Sequence, residues 1–492
     1  MIGRSSRPVL RTGPETERRE SSWSSKLPEM NQSEVVLHSR WARTPIVLVG
    51  VLGFWIALAM VASLDSDVLG AVWPSWSLGF VAAAIWGLNL LLLVYGVGRP
   101  WSLSSVPFLC AGFALAMTVV GSGNYWAATQ LYPAYRAEVE RAAYFVAVCT
   151  CVSLVAAVIA ARYLRRQRKT QNTVLVWDWL RLRLVTYLVF VVALVGTAIA
   201  LQRIGYVPLF TGDPANTRIE FPVLAGIWYR LSMLGGVVAI LVGVQAAARQ
   251  ATLGLYGVGL ASLAMVSVYG PRFFVVLPFG VAVLLWNRLR QRLSLGRIAV
   301  AAICLLGVVA LAGYWRERDA SASLLGPIGL VMYFTFVEFR ELAWALVHYG
   351  AGDRLLAGAS FGSAIVPLMP SVLWNVVGID KAAIYGQSSA AILADEMGTY
   401  SGQRIGAYGE FFINFGWTGA ILGAALYGVL VAYLDDRFRG VNSDSVRGVF
   451  LGLTIAATVF AQIGQLDVFT TTLTGFGYPL ALIALLAARR SA

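Results

Sequence analysis

The main pattern in this sequence is a series of long apolar runs separated by short polar segments. A run of roughly 20 apolar residues can cross the hydrocarbon core of a bilayer as an α-helix. We count about 12 such runs. The sequence therefore predicts an all-α, polytopic membrane protein. The weakest predicted spans are the short run at 273–286 and the last two runs. A re-entrant hairpin is the alternative for the last two. The runs centre on 45–64, 78–97, 103–121, 142–161, 182–202, 224–246, 252–269, 273–286, 298–314, 405–434, 449–463 and 473–487.

Composition and charge placement support a membrane protein and fix its predicted orientation. Hydrophobic residues make up 58% of the 492-residue chain and charged residues 13%, with a mean hydropathy of +0.71, which is too apolar for a soluble domain. The net charge is +13. If the amino terminus is cytoplasmic, the arginine-rich segments all fall on the cytoplasmic side, as the positive-inside rule requires. We therefore expect both termini inside and no nucleic-acid partner. These segments are the first 43 residues, the loops around Arg165 and at 288–297, the turn at Arg437 and the end at Arg489 and Arg490.

With this topology, the chain divides into four regions. Residues 1–43 are polar and predict a disordered cytoplasmic tail, and 44–314 hold spans one to nine with an outer loop at 203–222. Residues 315–403 form a large outer loop between spans nine and ten, and 404–492 hold the last three spans. Helical spacing of apolar residues around Glu338, Arg340 and Glu341 predicts an amphipathic helix at the membrane surface within that loop. Function is expected on the outer face, where the large loop and the mouths of several spans converge.

The stretch "RIGAYGEFFINFGWTG", residues 404–419, opens a predicted span with polar groups. Ionisable residues at membrane depth are costly and usually functional. Glu410 and Asn414 are four residues apart and share a helical face, with Arg404 near the water boundary. A partly desolvated carboxylate at such a place can serve as a general base. The equally weighted alternative is a structural polar contact, with the many glycines allowing close approach of helices.

Further arginines fall on the predicted outer side, against the positive-inside bias. They are Arg218, Arg272, Arg340 and Arg354. Arginine presents a planar fork of donors that suits phosphate oxygens, so the placement favours an anionic ligand. For Arg272, which follows a Gly-Pro break in "YGPRFFVVLP", the alternative is an interfacial arginine that reaches to water.

From residue 45 onward, the chain resembles the Wzy-type O-antigen (oligosaccharide repeat unit) polymerases. The resemblance lies in the topology and in three stretches: "GYVPLF" with the following Arg218, "YGPRFFVVLP" with Arg272, and "RIGAYGEFFINFGWTG" with Arg404. It implies transfer of a growing glycan from undecaprenyl diphosphate to an incoming lipid-linked repeat unit, at the outer face of the cytoplasmic membrane. Undecaprenyl-diphosphate-linked oligosaccharide and membrane lipids would be the partners, with a chain-length regulator protein as a further candidate. No metal and no cofactor are expected.

The resemblance also suggests roles for individual residues. Glu410 would accept the proton of the acceptor hydroxyl, with Asp395 or Glu396 in reserve. The departing lipid diphosphate carries concentrated negative charge, which arginines could stabilise without a metal. The residues expected to bind diphosphate or substrate are Arg272, Arg404, Arg340, Arg218, Asn414 and Tyr408.

Three other functions stay open at this point. An O-antigen ligase has a similar topology but would be expected to use a histidine beside arginines, and His348 in "ALVHYG" lacks that context. A metal-dependent lipid-linked glycosyltransferase would use Asp65 and Asp67, in a loop of only about a dozen residues where a solvated helix cap is favoured. A flippase or transporter of lipid-linked sugars would show charges deep in several spans and paired repeats.

Overall fold

The computed structural model describes a helical bundle and the loop segments that fold onto one end of it. Two predicted spans, 45–64 and 298–314, lie outside the described residues, as do the predicted tail 1–43 and the side chains of Arg218 and Arg272. The count of about 12 spans therefore stays a prediction. The described residues are 76–93, 105–128, 138–166, 175–208, 224–269, 273–289, most of 338–397 and most of 404–490.

Before the large loop, the described residues form eight helices and one short strand. They are α1 (Trp76–Leu91), α2 (Val106–Ala128), α3 (Glu138–Arg166), β1 (Leu175–Trp177), α4 (Trp179–Ile204), α5 (Ile227–Ser232), α6 (Leu234–Ala247), α7 (Leu253–Ser267) and α8 (Phe273–Leu289).

The loop contributes short helices, and three long or medium helices follow it. These elements are α9 (Glu338–His348), a 3₁₀ turn (Ala359–Phe361), α10 (Gly362–Ile365), a second 3₁₀ turn (Val366–Leu368), α11 (Lys381–Gly386), α12 (Ser389–Glu396), α13 (Gly406–Arg439), α14 (Val446–Phe460), α15 (Leu466–Ala487) and β2 (Ala488–Arg490).

Among the described residues, five helical stretches are long and apolar enough to cross a membrane, one of them made of α5 and α6 together, and several shorter helices are similarly apolar, which fits a polytopic membrane protein. The predicted span 224–246 is divided at Met233 into α5 and α6. The predicted span 473–487 begins earlier, at Leu466, and reaches 22 residues, so it is long enough to span on its own. The five are Arg141–Leu164, Trp179–Ile204, Ile227–Ala247, Gly406–Arg439 and Leu466–Ala487.

The helix α13 packs along α3 at the centre of the core. The Phe145 and Phe412 rings meet edge to face with centroids 5.4 Å apart. Further along the pair, Gly428 lies so close to the Ser153 carbonyl that a β-carbon at position 428 would collide with it. Small residues at such crossings let two membrane helices approach closely.

The predicted helix of the large loop is present as α9 and contributes to the same core. Its Phe339 and Ala345 are fully buried and Trp344 is 3% exposed. The helix contacts α2, α3 and α13. Because nearly every apolar residue of α9 is covered by these helices, this part of the loop packs into the bundle; a location at the membrane surface stays a prediction.

The two ends of the bundle are built differently. At one end, called the ribbon end, β1 pairs with β2 as an antiparallel two-stranded ribbon. Also at this end, the buried Asp435 accepts a hydrogen bond from the Val106 amide at 3.1 Å and pairs with Arg439. At the loop end, segments of 338–404 fold over the first turns of α13 and α15. The candidate site lies at the loop end.

Candidate functional site

The helix α13 is broken one-third of the way along, at Phe415 and Gly416. Gly416 has φ 64° and ψ −156°, a backbone conformation that glycine adopts and other residues avoid. A break leaves the preceding carbonyls without the amide donors of the next turn. Loop residues supply them: the Leu356 amide donates to the Ile413 carbonyl at 2.9 Å, and the Ala357 amide donates to the Asn414 carbonyl at 3.1 Å. The loop therefore completes the hydrogen bonding of the broken helix.

The side chain of Asn414 fastens the same loop to the helix. Its Oδ1 accepts a hydrogen bond from the Gly358 amide at 2.9 Å. Its Nδ2 donates to Ser360 Oγ and to the Glu410 carbonyl oxygen, both at 2.7 Å. Asn414 is 1% exposed, so an amide side chain buried here is fully used in holding the loop against α13.

Glu410 joins three separate segments of the chain at one buried carboxylate. Its Oε1 accepts hydrogen bonds from Ser360 Oγ at 3.2 Å and from Ser389 Oγ at 3.1 Å. Its Oε2 accepts a hydrogen bond from the Leu466 amide at 2.8 Å. The residue has no exposed surface. The loop, the start of α12 and the start of α15 are thus tied to the second turn of α13 by this one group.

A second carboxylate, Asp467, lies beside Glu410 in the first turn of α15 and was not among the predicted site residues. It interacts electrostatically with three neighbours: the charge of Arg404 attracts it, the charge of Glu410 repels it, and Tyr385 lies close enough to be affected. Partial burial and the negative charge of Asp467 raise the pKa of Tyr385. Asp467 Oδ1 is buried and has no hydrogen-bond donor among the residues that the structure describes.

A third acidic residue, Glu341 of α9, holds the chain where it enters α13. The Arg404 backbone amide donates a hydrogen bond to Glu341 Oε2. The Arg340 guanidinium Nη2 lies 3.9 Å from Glu341 Oε1. Glu341 is 5% exposed. Because it binds the backbone amide of Arg404 and not the side chain, the guanidinium of Arg404 can interact with Asp467.

Other predicted site residues take different places. Asp395 and Glu396 are exposed at the far end of α12, about 9 Å along the helix from Ser389. Glu396 accepts a hydrogen bond from Tyr349 at 3.0 Å, and burial together with this bond raises the pKa of Tyr349. Within the described residues, neither Asp395 nor Glu396 hydrogen-bonds to Glu410.

Tyr408 is directed into the helix core. It is 6% exposed and packs edge to face on Tyr427 at 5.6 Å. His348 stacks on Trp344 at 3.8 Å and places Nδ1 3.0 Å from the Trp344 carbonyl oxygen. Both rings are therefore held by packing within the described bundle.

The structure thus gathers Arg404, Glu410 and Asn414 at the loop end, as the sequence predicts, and adds Asp467 and two serines to them. An arginine beside two carboxylates, covered by a loop at the end of a membrane bundle, can bind an anionic group and accept a proton from a neighbouring hydroxyl. Comparison of the chain with models of known protein families, with curated protein sequences and with solved structures returns no match.

Proposed function

We propose that this protein is a polymerase of lipid-linked oligosaccharide repeat units. It would transfer the growing glycan from undecaprenyl diphosphate to the incoming lipid-linked unit at the outer face of the cytoplasmic membrane. One observation carries the proposal: Arg404, Glu410 and Asp467 come together under a loop, at one end of a bundle with membrane-spanning helices. A reaction between two lipid-bound substrates requires its polar groups where the sugar meets the lipid, and a position at one end of the bundle supports such a location.

The chemistry of glycan transfer needs two kinds of side chain. The leaving lipid diphosphate gains negative charge as its bond to the anomeric carbon breaks, and an arginine stabilises that charge. The acceptor hydroxyl loses its proton as its oxygen attacks the anomeric carbon, and a carboxylate accepts that proton. Arg404 and the carboxylates beside it supply both kinds of group. Arg340 is a further cation of the same loop end, 21% exposed at its side chain.

The test is the pattern of surface glycan in the source organism. A strain lacking the gene is complemented with the wild type or with Arg404→Ala, and the glycan is separated by length on a gel. We expect a ladder with the wild type and single-repeat product both without the gene and with Arg404→Ala. Membrane levels of the two proteins are matched by immunoblotting, because a variant that fails to accumulate would also lose the ladder.

The same gel separates the alternatives. An unchanged ladder in the deletion strain refutes the proposal. Full-length glycan that remains attached to lipid, without transfer to its final carrier, would identify a ligase. Loss of single-repeat product as well would place the protein at an earlier step, such as transport of the lipid-linked unit. Loss of activity on removal of divalent ions would favour a metal-dependent transferase.

A further inference from the structure

We propose that Asp467, and not Glu410, accepts the proton of the acceptor hydroxyl, and that Glu410 is a positioning residue. This inference rests on the proposed function. The two carboxylates are neighbours at the loop end but differ in what surrounds their oxygens. From that difference we infer a structural role for Glu410 and a catalytic role for Asp467.

The surroundings of Glu410 are those of a structural connector. Three donors from three segments occupy its oxygens, at 2.8–3.2 Å, and none of its surface is exposed. Because none of its surface is exposed, a substrate hydroxyl could reach this carboxylate only after Ser360, Ser389 or the Leu466 amide had moved away. Such a movement would leave a hydrogen-bond donor without its acceptor, which is unfavourable. Glu410 is therefore better suited to holding the loop than to receiving a proton.

The surroundings of Asp467 leave one oxygen unused. Its Oδ1 is buried and lacks a hydrogen-bond donor among the described residues. A buried carboxylate oxygen without a donor is unfavourable unless a ligand supplies one. The hydroxyl of a bound acceptor sugar is such a donor. The residue as a whole is only partly buried, so it borders accessible space near Tyr385, which is 36% exposed.

The charges around Asp467 fit the transfer step. Arg404 attracts the carboxylate, and a guanidinium is also the group that best matches the oxygens of a diphosphate. In the step, the acceptor oxygen forms a bond to the anomeric carbon of the growing glycan while its proton passes to Asp467. The bond from that carbon to the diphosphate oxygen breaks, and the lipid diphosphate leaves with the electron pair, stabilised by Arg404. The proton is later released to solvent.

The experiment uses membranes of the deletion strain, in which the proposed function predicts accumulation of single-repeat lipid-linked substrate. Purified full-length protein is reconstituted with these membranes, and the rate of glycan extension is measured for each variant. We expect Asp467→Asn to slow extension by at least about 100-fold, as is usual for loss of a general base. We expect the extension rate of Glu410→Gln to stay within about tenfold of the wild-type rate, because a glutamine can contact the same three groups. Its oxygen would accept from the Leu466 amide, and its amide would donate to the serine oxygens.

Asp436→Asn is the matched control, since it makes the same chemical change in α13 at the ribbon end, away from the site. Thermal unfolding in detergent is measured for every variant, and rates are expressed per folded protein. Asp467→Glu, which keeps a carboxylate, should recover part of the rate. The pH dependence gives an independent reading: a base must be ionised, so the wild-type and Glu410→Gln rates should rise with pH, and the residual rate of Asp467→Asn should lack that rise.

The outcomes separate the two levels of the proposal. If wild-type protein fails to extend the accumulated unit, the proposed function is wrong. If wild-type protein extends it and Asp467→Asn does so at a similar rate, the function stands and the assignment of Asp467 is wrong. If Glu410→Gln loses activity as severely as Asp467→Asn while remaining folded, Glu410 is the proton acceptor that the sequence predicts.

Discussion

Replacing Gly416 by alanine tests the break in α13 directly. Gly416 has φ 64° and ψ −156°, a region that costs a residue with a side chain on the order of 1–3 kcal/mol. Space is not the difficulty, since the nearest atom to an added β-carbon would be Leu355 Cδ1 at 3.7 Å, an ordinary contact. The cost of Gly416→Ala is therefore conformational. We expect the free energy of unfolding to fall by about 1–3 kcal/mol.

The measurement is equilibrium unfolding of the purified protein in mixed detergent micelles. Gly475→Ala is the matched control, since Gly475 lies in the helix α15 with nothing within 4 Å of an added β-carbon. In a helix, this change is expected to be neutral or to stabilise by roughly 0.5–1 kcal/mol. The two glycine-to-alanine changes should thus have opposite signs.

A second measurement links the break to the loop. Because the carbonyls before Gly416 accept the Leu356 and Ala357 amides, a strained break should loosen the loop. Trypsin should then cleave more rapidly after the exposed Arg354 in Gly416→Ala than in Gly475→Ala. If Gly416→Ala is as stable as wild type and equally resistant to trypsin, the folded protein does not contain this break and the loop is not held to α13 at these carbonyls.

Three further variants test other contacts. Asn414→Leu keeps the branched shape of the side chain, but it leaves the partly buried Gly358 amide without its acceptor and removes the donor to Ser360 Oγ. The free energy of unfolding should therefore fall by about 1–3 kcal/mol in the same micelle assay. Gly428→Ala places a methyl group against the Ser153 carbonyl, and thermal unfolding should report a loss of about 1–3 kcal/mol from overpacking; an unchanged transition would refute the close helix contact. The pKa of Tyr349 is raised in the folded protein, so folding favours the neutral phenol. Its contribution to the free energy of unfolding is therefore fully present below the ordinary pKa of 10.0 and is lost as the pH rises above that value. Tyr349→Phe, which cannot ionise or bond to Glu396, should therefore lose less stability than wild type on going from pH 9 to about pH 11.

The polar start of α13 could be predicted from the sequence because its residues break a simple rule. Arg404, Glu410 and Asn414 stand out in an otherwise apolar span, and their spacing places two of them on one face. The break at Gly416 could not be predicted, because Gly416 is one of several glycines in this span and nothing local distinguishes it. Its conformation depends on loop amides some 60 positions earlier in the chain, whose pairing is a tertiary effect.

Asp467 was missed for a different physical reason. The run "LDVFTTTLTGFG" is too polar to be counted as the start of a span, so the predicted span began at residue 473. In the structure, the threonines satisfy their own hydroxyls within the helix: Thr470, Thr472 and Thr474 each donate to the carbonyl four residues earlier, at 2.6–3.2 Å. Such bonds make threonine tolerable in an apolar helix. An acidic residue just before a periodic apolar run was the available signal, since helices favour one in the first turn.

The way the loop completes α13 also decides how the site can be studied. Backbone carbonyls at a break in a membrane helix must find donors within the protein, because the surrounding hydrocarbon offers none. The Leu356 and Ala357 amides are such donors, so the loop contributes to the stability of the helix as well as to the site. Variants that release the loop will therefore lose stability and activity together, whatever their role in chemistry. Glu410→Gln and Asp467→Asn reduce this difficulty, because each preserves the size of the side chain while it removes the charge and replaces one acceptor oxygen by an amide donor. The comparison of these two changes is for that reason the decisive one.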